Sequence, residues 1–101
     1  MNILFICNQN KNRSKTAEEL FKTTYNTKSA GLYSDEPVHR NQLEWADLIV
    51  VMEDEQRIEL VKRFPEEVMR KRVISLNIPD YFSYGSSGLI QQLRTKMSGL
   101  I

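Results

Sequence analysis

Ile3-Leu4-Phe5-Ile6-Cys7-Asn8-Gln9-Asn10-Lys11-Asn12-Arg13-Ser14-Lys15 runs from an apolar segment through a polar loop into a helical pattern. Four consecutive apolar residues, Ile3 to Ile6, are what a strand buried on both faces requires. Ser14 suits the start of a helix, with Glu18 and Glu19 in its early turns and Ala17, Leu20, Phe21 and Tyr25 at helical spacing on one side. A strand, a tight loop and a helix N-terminus make an anion site, because free backbone N–H groups and the helix dipole point at the same place. The single cysteine, Cys7, opens this loop, where the field favours thiolate. Arg13 adds a planar fork that matches two phosphate oxygens, and Ser14 adds a hydroxyl able to donate back to the sulfur. Nucleophile, cradle and clamp fall within eight residues.

The rest of the chain alternates. Thr27 to Ala30 is a short, partly polar strand candidate suited to a sheet edge. Gly31 to Arg40 reads as a loop, Asn41 to Ala46 as a short helix, and Trp45 as core. Leu48 to Met52 is apolar throughout and predicts a central strand, and Glu53-Asp54-Glu55 places negative charge at the next helix start. Ile58, Leu60, Val61 and Phe64 give that helix an apolar side, and Pro65 marks its end. After a polar stretch, Glu66 to Lys71, Val73 to Leu76 reads as a fourth strand. Asn77 to Ser87 is a loop, and Leu89, Ile90, Leu93 and Met97 form the face of a last helix. Strands alternating with helices predict one α/β domain over residues 1–101, with a parallel sheet between helical layers. Ligands of such sheets bind beyond the carboxyl ends of the strands. That gathers the Cys7 loop, Gly31 to Arg40, Glu53 to Gln56 and Asn77 to Ser87 on one edge.

Composition narrows the function. The chain has 101 residues, 41% of them hydrophobic, and a formal net charge of +1, which argues against bulk binding to nucleic acid. Lys11, Arg13, Lys15 and Lys22 still put local positive charge around the loop and its helix, which suits an anionic substrate and equally a solvated helix face. No apolar run reaches the roughly 18 residues of a membrane span, and no leader peptide or membrane partner is expected. One cysteine excludes an internal disulfide and points to the cytoplasm. One histidine, His39, and one cysteine make no metal-ligand set, so neither metal nor cofactor is expected. His39 itself reads as a surface loop residue.

The Cys-x5-Arg-Ser loop directly after a first strand resembles that of the low-molecular-weight protein tyrosine phosphatases. A buried structural cysteine beside a surface arginine would lack that strand–loop–helix context. The resemblance implies a three-layer α/β/α fold with four parallel strands in the order 2-1-3-4. It implies that Cys7 attacks phosphorus, Arg13 holds the equatorial oxygens and Ser14 stabilises the thiolate. Asn8, Gln9, Asn10, Lys11, Asn12, Arg13 and Ser14 would bind the phosphate, and inorganic phosphate or sulfate would occupy the same loop. Asn10 matches the family's loop asparagine, whereas Gln9 stands where a glycine is usual. Asn8, Asn10 and Asn12 supply the left-handed freedom that glycine would give. Ser29-Ala30-Gly31 matches the family's Ser-Ala-Gly at the end of strand two, which makes Ser29 a supporting partner for Asn10, with a turn serine as the other reading.

The leaving oxygen needs a proton, hence a carboxylic acid near the sulfur. Asp80, in Ile78-Pro79-Asp80-Tyr81-Phe82, matches the family's late-loop aspartate, with Tyr81 in place of its proline. A second alignment sets Ser86-Ser87 against the Asp-Pro of short relatives and leaves the acid missing. Tyr33, Phe82 and Tyr84 are the candidates to wall the pocket and stack on an aryl phosphate. The expected function is hydrolysis of phosphate monoesters, of phosphotyrosine type, through a Cys7 thiophosphate. The interval from Gly31 to Met52 is about half the family's usual length, so a shallower cleft is expected. The rivals are an oxyanion-binding regulatory protein without turnover and an arsenate reductase using an external thiol. A sugar phosphotransferase B-type subunit conflicts with Arg13, and a polymerase C-terminal-domain phosphatase would be much longer.

Overall fold

The computed structural model describes residues 1–100. Four strands, β1 (Asn2–Cys7), β2 (Asn26–Gly31), β3 (Leu48–Val51) and β4 (Arg72–Ser75), form one parallel sheet in the order β2-β1-β3-β4. The helices are α1 (Arg13–Phe21), α2 (Arg40–Trp45), α3 (Asp54–Arg63), α4 (Pro65–Met69) and α5 (Ser87–Met97). The expected α/β architecture and strand order are those observed.

The two-residue period of a strand explains the layers. On β1, Ile3, Phe5 and Cys7 face the core shared with α1 and α5, through Ala17, Leu89, Leu93 and Met97. Leu4 and Ile6 face the other core, with Leu43 of α2 and Leu60 of α3. β1 and β3 are buried on both faces, as their unbroken apolar runs demanded, and β2 lies at an edge. The register sets Cys7 opposite Gly31, and Val51 beside both Ile6 and Ser75, so all four strands end at one level. The chemistry-bearing loops leave from that level.

Three elements depart from the sequence reading. Ile58 and Val61 are 56% and 46% exposed, whereas the other two expected residues, Leu60 and, just past the end of α3, half-buried Phe64, do pack inward together with Gln56. A polar residue in the stripe hid that periodicity. Pro65 occupies the first turn of α4, where its missing N–H costs nothing, so Glu66 to Met69 continue as helix. Trp45 is only half buried, its ring covered by the Lys28 ammonium at 4.4 Å.

Candidate active site

The loop from Asn8 to Asn12 bends around the Cys7 sulfur. Asn10 takes a left-handed conformation, φ 56°, and its N–H donates to Cys7 Sγ at 3.2 Å. Asn8 and Asn12 keep negative φ, so the freedom expected of three asparagines is used by one. Ser14 Oγ lies 2.9 Å from Cys7 Sγ and donates to Asn10 Oδ1 at 2.6 Å. A hydroxyl has one proton. With that proton on Asn10, the contact to sulfur runs from the thiol to Ser14. Among the described residues, the backbone N–H groups of Asn8, Gln9, Lys11 and Asn12 meet no protein acceptor.

The loop rests on Gly31. A Cβ there would stand 2.9 Å from Asn8 O and 3.0 Å from Asn10 N, so only glycine allows this approach. From the far side, Gln56 ties the loop to α3. Its Oε1 accepts from Met52 N at 2.7 Å and Glu53 N at 3.0 Å, and its Nε2 donates to Asn8 Oδ1 at 3.0 Å.

Arg13 is 1% exposed. Its Nη1 donates to Glu53 Oε1 at 2.5 Å and to Ile78 O at 2.8 Å. Its Nε has no hydrogen-bond partner among the described residues and lies 3.5 Å from Asp80 Oδ1. A buried guanidinium N–H without an acceptor is costly unless a ligand supplies one. Cys7, Gln9, Lys11, Asn12, Arg13 and Asp80 line one small pocket of about 100 Å³. Asp80 therefore meets the loop, whereas Ser86 caps α5, its hydroxyl accepting from Leu89 N at 3.3 Å. Two bonds hold the Asp80 segment against α1: Tyr84 N to Asn12 Oδ1 at 3.1 Å and Gly85 N to Thr16 Oγ1 at 2.9 Å.

Several expected residues stand elsewhere. Ser29 donates to Glu18 Oε1 at 2.6 Å rather than to Asn10, whose partner is Ser14. No aromatic lines the phosphate-sized pocket. The Tyr33 ring stacks beneath the Arg63 guanidinium, 5.1 Å from its centroid. Phe82 is half buried against the core beside Gly88. Tyr84 borders an apolar groove with Leu20 and Ile90, on the other side of its loop. Glu53 and Gln56 were expected on this edge without a role in the site, and Thr16 was not singled out. Glu53 and Gln56 carried a sequence signal, the i, i+3 spacing of a capping box, which marked a helix start and not an arginine partner. Among the described residues, no cluster of His, Cys, Asp and Glu could hold a metal, and no helix is long and apolar enough to cross a membrane.

No family model and no curated relative matches the sequence. Solved structures do match. The YwlE arginine phosphatase from Geobacillus stearothermophilus is 20% identical, with TM-score 0.72 over 94% of this chain and 82% of that one. The low-molecular-weight protein tyrosine phosphatase from T. tengcongensis is 18% identical, with TM-score 0.76 over 95% and 92%. The tyrosine phosphatase Wzb from Escherichia coli K30, in complex with phosphate, is 20% identical, with TM-score 0.75 over 94% and 91%. The expected resemblance thus holds at the level of structure: this chain has the fold of the low-molecular-weight protein tyrosine phosphatases.

Proposed function

We propose that this single-domain chain is a cysteine-dependent phosphatase acting on phosphate monoesters, aryl phosphates such as phosphotyrosine included. The observation that carries the reading is the buried Arg13 Nε, which has no hydrogen-bond partner among the described residues and lies 3.5 Å from Asp80 Oδ1, in a residue that lines the same pocket as Cys7 and Asp80. A phosphate there gives Nε its acceptor. The free loop N–H groups take the other equatorial oxygens, as preorganised donors for the charge of the transition state. Cys7 attacks phosphorus in line, Asp80 protonates the departing oxygen, and a thiophosphate forms. Water then attacks phosphorus with Asp80 as base, releasing phosphate and the Cys7 thiolate. Ser14 and the Asn10 N–H stabilise the sulfur anion at both ends of the cycle. The neighbours of known activity, tyrosine and arginine phosphatases, support a phosphoryl-transfer use of this fold. The partner is a phosphorylated protein or small molecule in the cytoplasm, and inorganic phosphate or sulfate competes for the loop.

The test is hydrolysis of p-nitrophenyl phosphate between about pH 5 and pH 8 by wild type, Cys7→Ser and Asp80→Asn. Wild type turns over, Cys7→Ser is inactive, and Asp80→Asn is slowed about a hundredfold or more. Wild type no faster than Cys7→Ser, while still binding tungstate, would leave an oxyanion-binding protein instead. An unslowed Asp80→Asn would remove Asp80 as the acid.

A further inference from the structure

Gln9 and Lys11 line two spaces at once. One is the phosphate-sized pocket, and the other is a cavity of about 360 Å³ across the loop rim. This second space lies within the range of about 300–1,000 Å³ of small-molecule sites. Its remaining walls are mostly polar and include Ser29, Ser34, Asp35, Glu36 and Gln42, with Ala30 as an apolar part. The Lys11 ammonium makes no ion pair or hydrogen bond among the described residues, and neither do the Asp35 and Glu36 carboxylates. An ester bound through its phosphate at Cys7 can lay its alcohol part over Gln9 and Lys11 into this cavity.

The lining discriminates among alcohols. An aryl group would find no aromatic wall in either space and little apolar surface, since Tyr33, Phe82 and Tyr84 line neither. A second anionic group would be repelled by Asp35 and Glu36, and a cationic group would pair with them but leave the Lys11 ammonium and the Gln9 and Gln42 amides without an acceptor. A neutral, hydroxyl-rich body suits all three. Its O–H groups donate to the two carboxylates, and its oxygens accept from the Lys11 ammonium and the Gln9 and Gln42 amides. We propose that the preferred substrates are phosphate monoesters of a monosaccharide-sized polyol, with the polyol seated in this cavity. The inference rests on reading the Cys7 loop as a phosphoryl site.

The test is calorimetric titration of the full chain carrying Cys7→Ser with glucose 6-phosphate and with cyclohexylmethyl phosphate. The two share a primary alkyl phosphate and differ in hydroxyls. Glucose 6-phosphate should bind about tenfold tighter, the worth of one or two net hydrogen bonds. Replacing both Asp35→Ala and Glu36→Ala should cut that margin about threefold or more, since only the donors to the sugar's oxygens remain, while cyclohexylmethyl phosphate binds no more weakly than to the parent, which also reports an intact fold. Equal affinities in the parent, or a margin unchanged by the double substitution, overturns the inference. Turnover of p-nitrophenyl phosphate by wild type is scored separately. Turnover without the margin sinks the polyol reading alone, the margin without turnover sinks the enzyme reading alone, and failure of every ester to bind sinks both.

Discussion

Arg13 and Glu53, forty positions apart in sequence, are joined by a 2.5 Å ion pair that holds the guanidinium by Nη1 and leaves Nε to the pocket. Ile78 O takes Nη1 as well, at 2.8 Å, so the loops after β3 and β4 together fix the orientation of the β1 loop's arginine. Glu53 touches no reacting atom and is a positioning residue.

Glu53→Ala should free the guanidinium to rotate. A hydrogen bond to a charged group is worth about 1.5–3 kcal/mol, so kcat/KM for p-nitrophenyl phosphate should fall roughly tenfold to a hundredfold. Tungstate affinity should weaken in parallel, since the same guanidinium holds the oxyanion, and Glu53→Asp should recover part of both losses. Unaltered tungstate binding in Glu53→Ala would show that Ile78 O and packing suffice to hold Arg13.

Gly31→Ala tests the contact beneath the loop. The added carbon would press on Asn8 O and Asn10 N, backbone atoms that cannot swing aside. Overpacking of this kind costs about 1–3 kcal/mol, which in a chain of this size lowers Tm by about 4–8 °C per kcal/mol. Part of the strain should appear as a displaced loop, so oxyanion binding should weaken even at temperatures where the variant is folded. A variant with normal Tm and normal tungstate affinity would mean that β2 yields by a few tenths of an ångström at no cost.

Much of this arrangement was legible in the sequence, for identifiable reasons. Unbroken apolar runs placed β1 and β3 at the centre of the sheet, and the Cys7 to Ser14 spacing located the anion loop. The match to the family's late-loop aspartate, favoured by a place just beyond a strand end, singled out Asp80, and Asp80 does line the pocket with Cys7 and Arg13. The supports beneath the site were harder to read. Glu53 and Gln56 lie at a helix start, where acidic and amide residues are ordinary caps, and nothing local announces a partner forty positions away. That the aromatics do not line the phosphate-sized pocket has a similar reason. Whether Phe82 faces the sulfur or the core depends on how its loop docks on Gly88 and α1, a long-range outcome that periodicity does not carry.

Thr16 reaches that loop from α1. Its hydroxyl donates to Asn12 O at 2.7 Å and accepts from Gly85 N at 2.9 Å. Thr16→Val keeps the shape and deletes both bonds. If this clamp sets the position of Asp80, the loss should be larger for phenyl phosphate, whose leaving group needs the proton, than for p-nitrophenyl phosphate. At about 0.5–1.5 kcal/mol for a net hydrogen bond, the difference should be roughly twofold to tenfold. Equal losses on the two substrates would mark Thr16 as structural only.

Away from the site, Glu67 gives the fold a pH dependence of definite sign. Its carboxyl is held below its ordinary value of 4.5, first by its own backbone N–H and then by the Arg40 guanidinium at 2.5 Å, against desolvation, which pushes it up. A carboxyl whose folded-state value is depressed contributes stability above its unfolded value, and that contribution is lost as pH falls through the lower folded value. Glu67→Gln should therefore melt below wild type at about pH 7, with a gap that closes between about pH 5 and pH 3. Because Arg40 is mostly exposed, added salt should narrow the neutral-pH gap without abolishing it, the backbone contact being local. Melting curves at three pH values decide the matter, and a gap that stays constant across the series would assign the loss to packing of the buried side chain rather than to its charge.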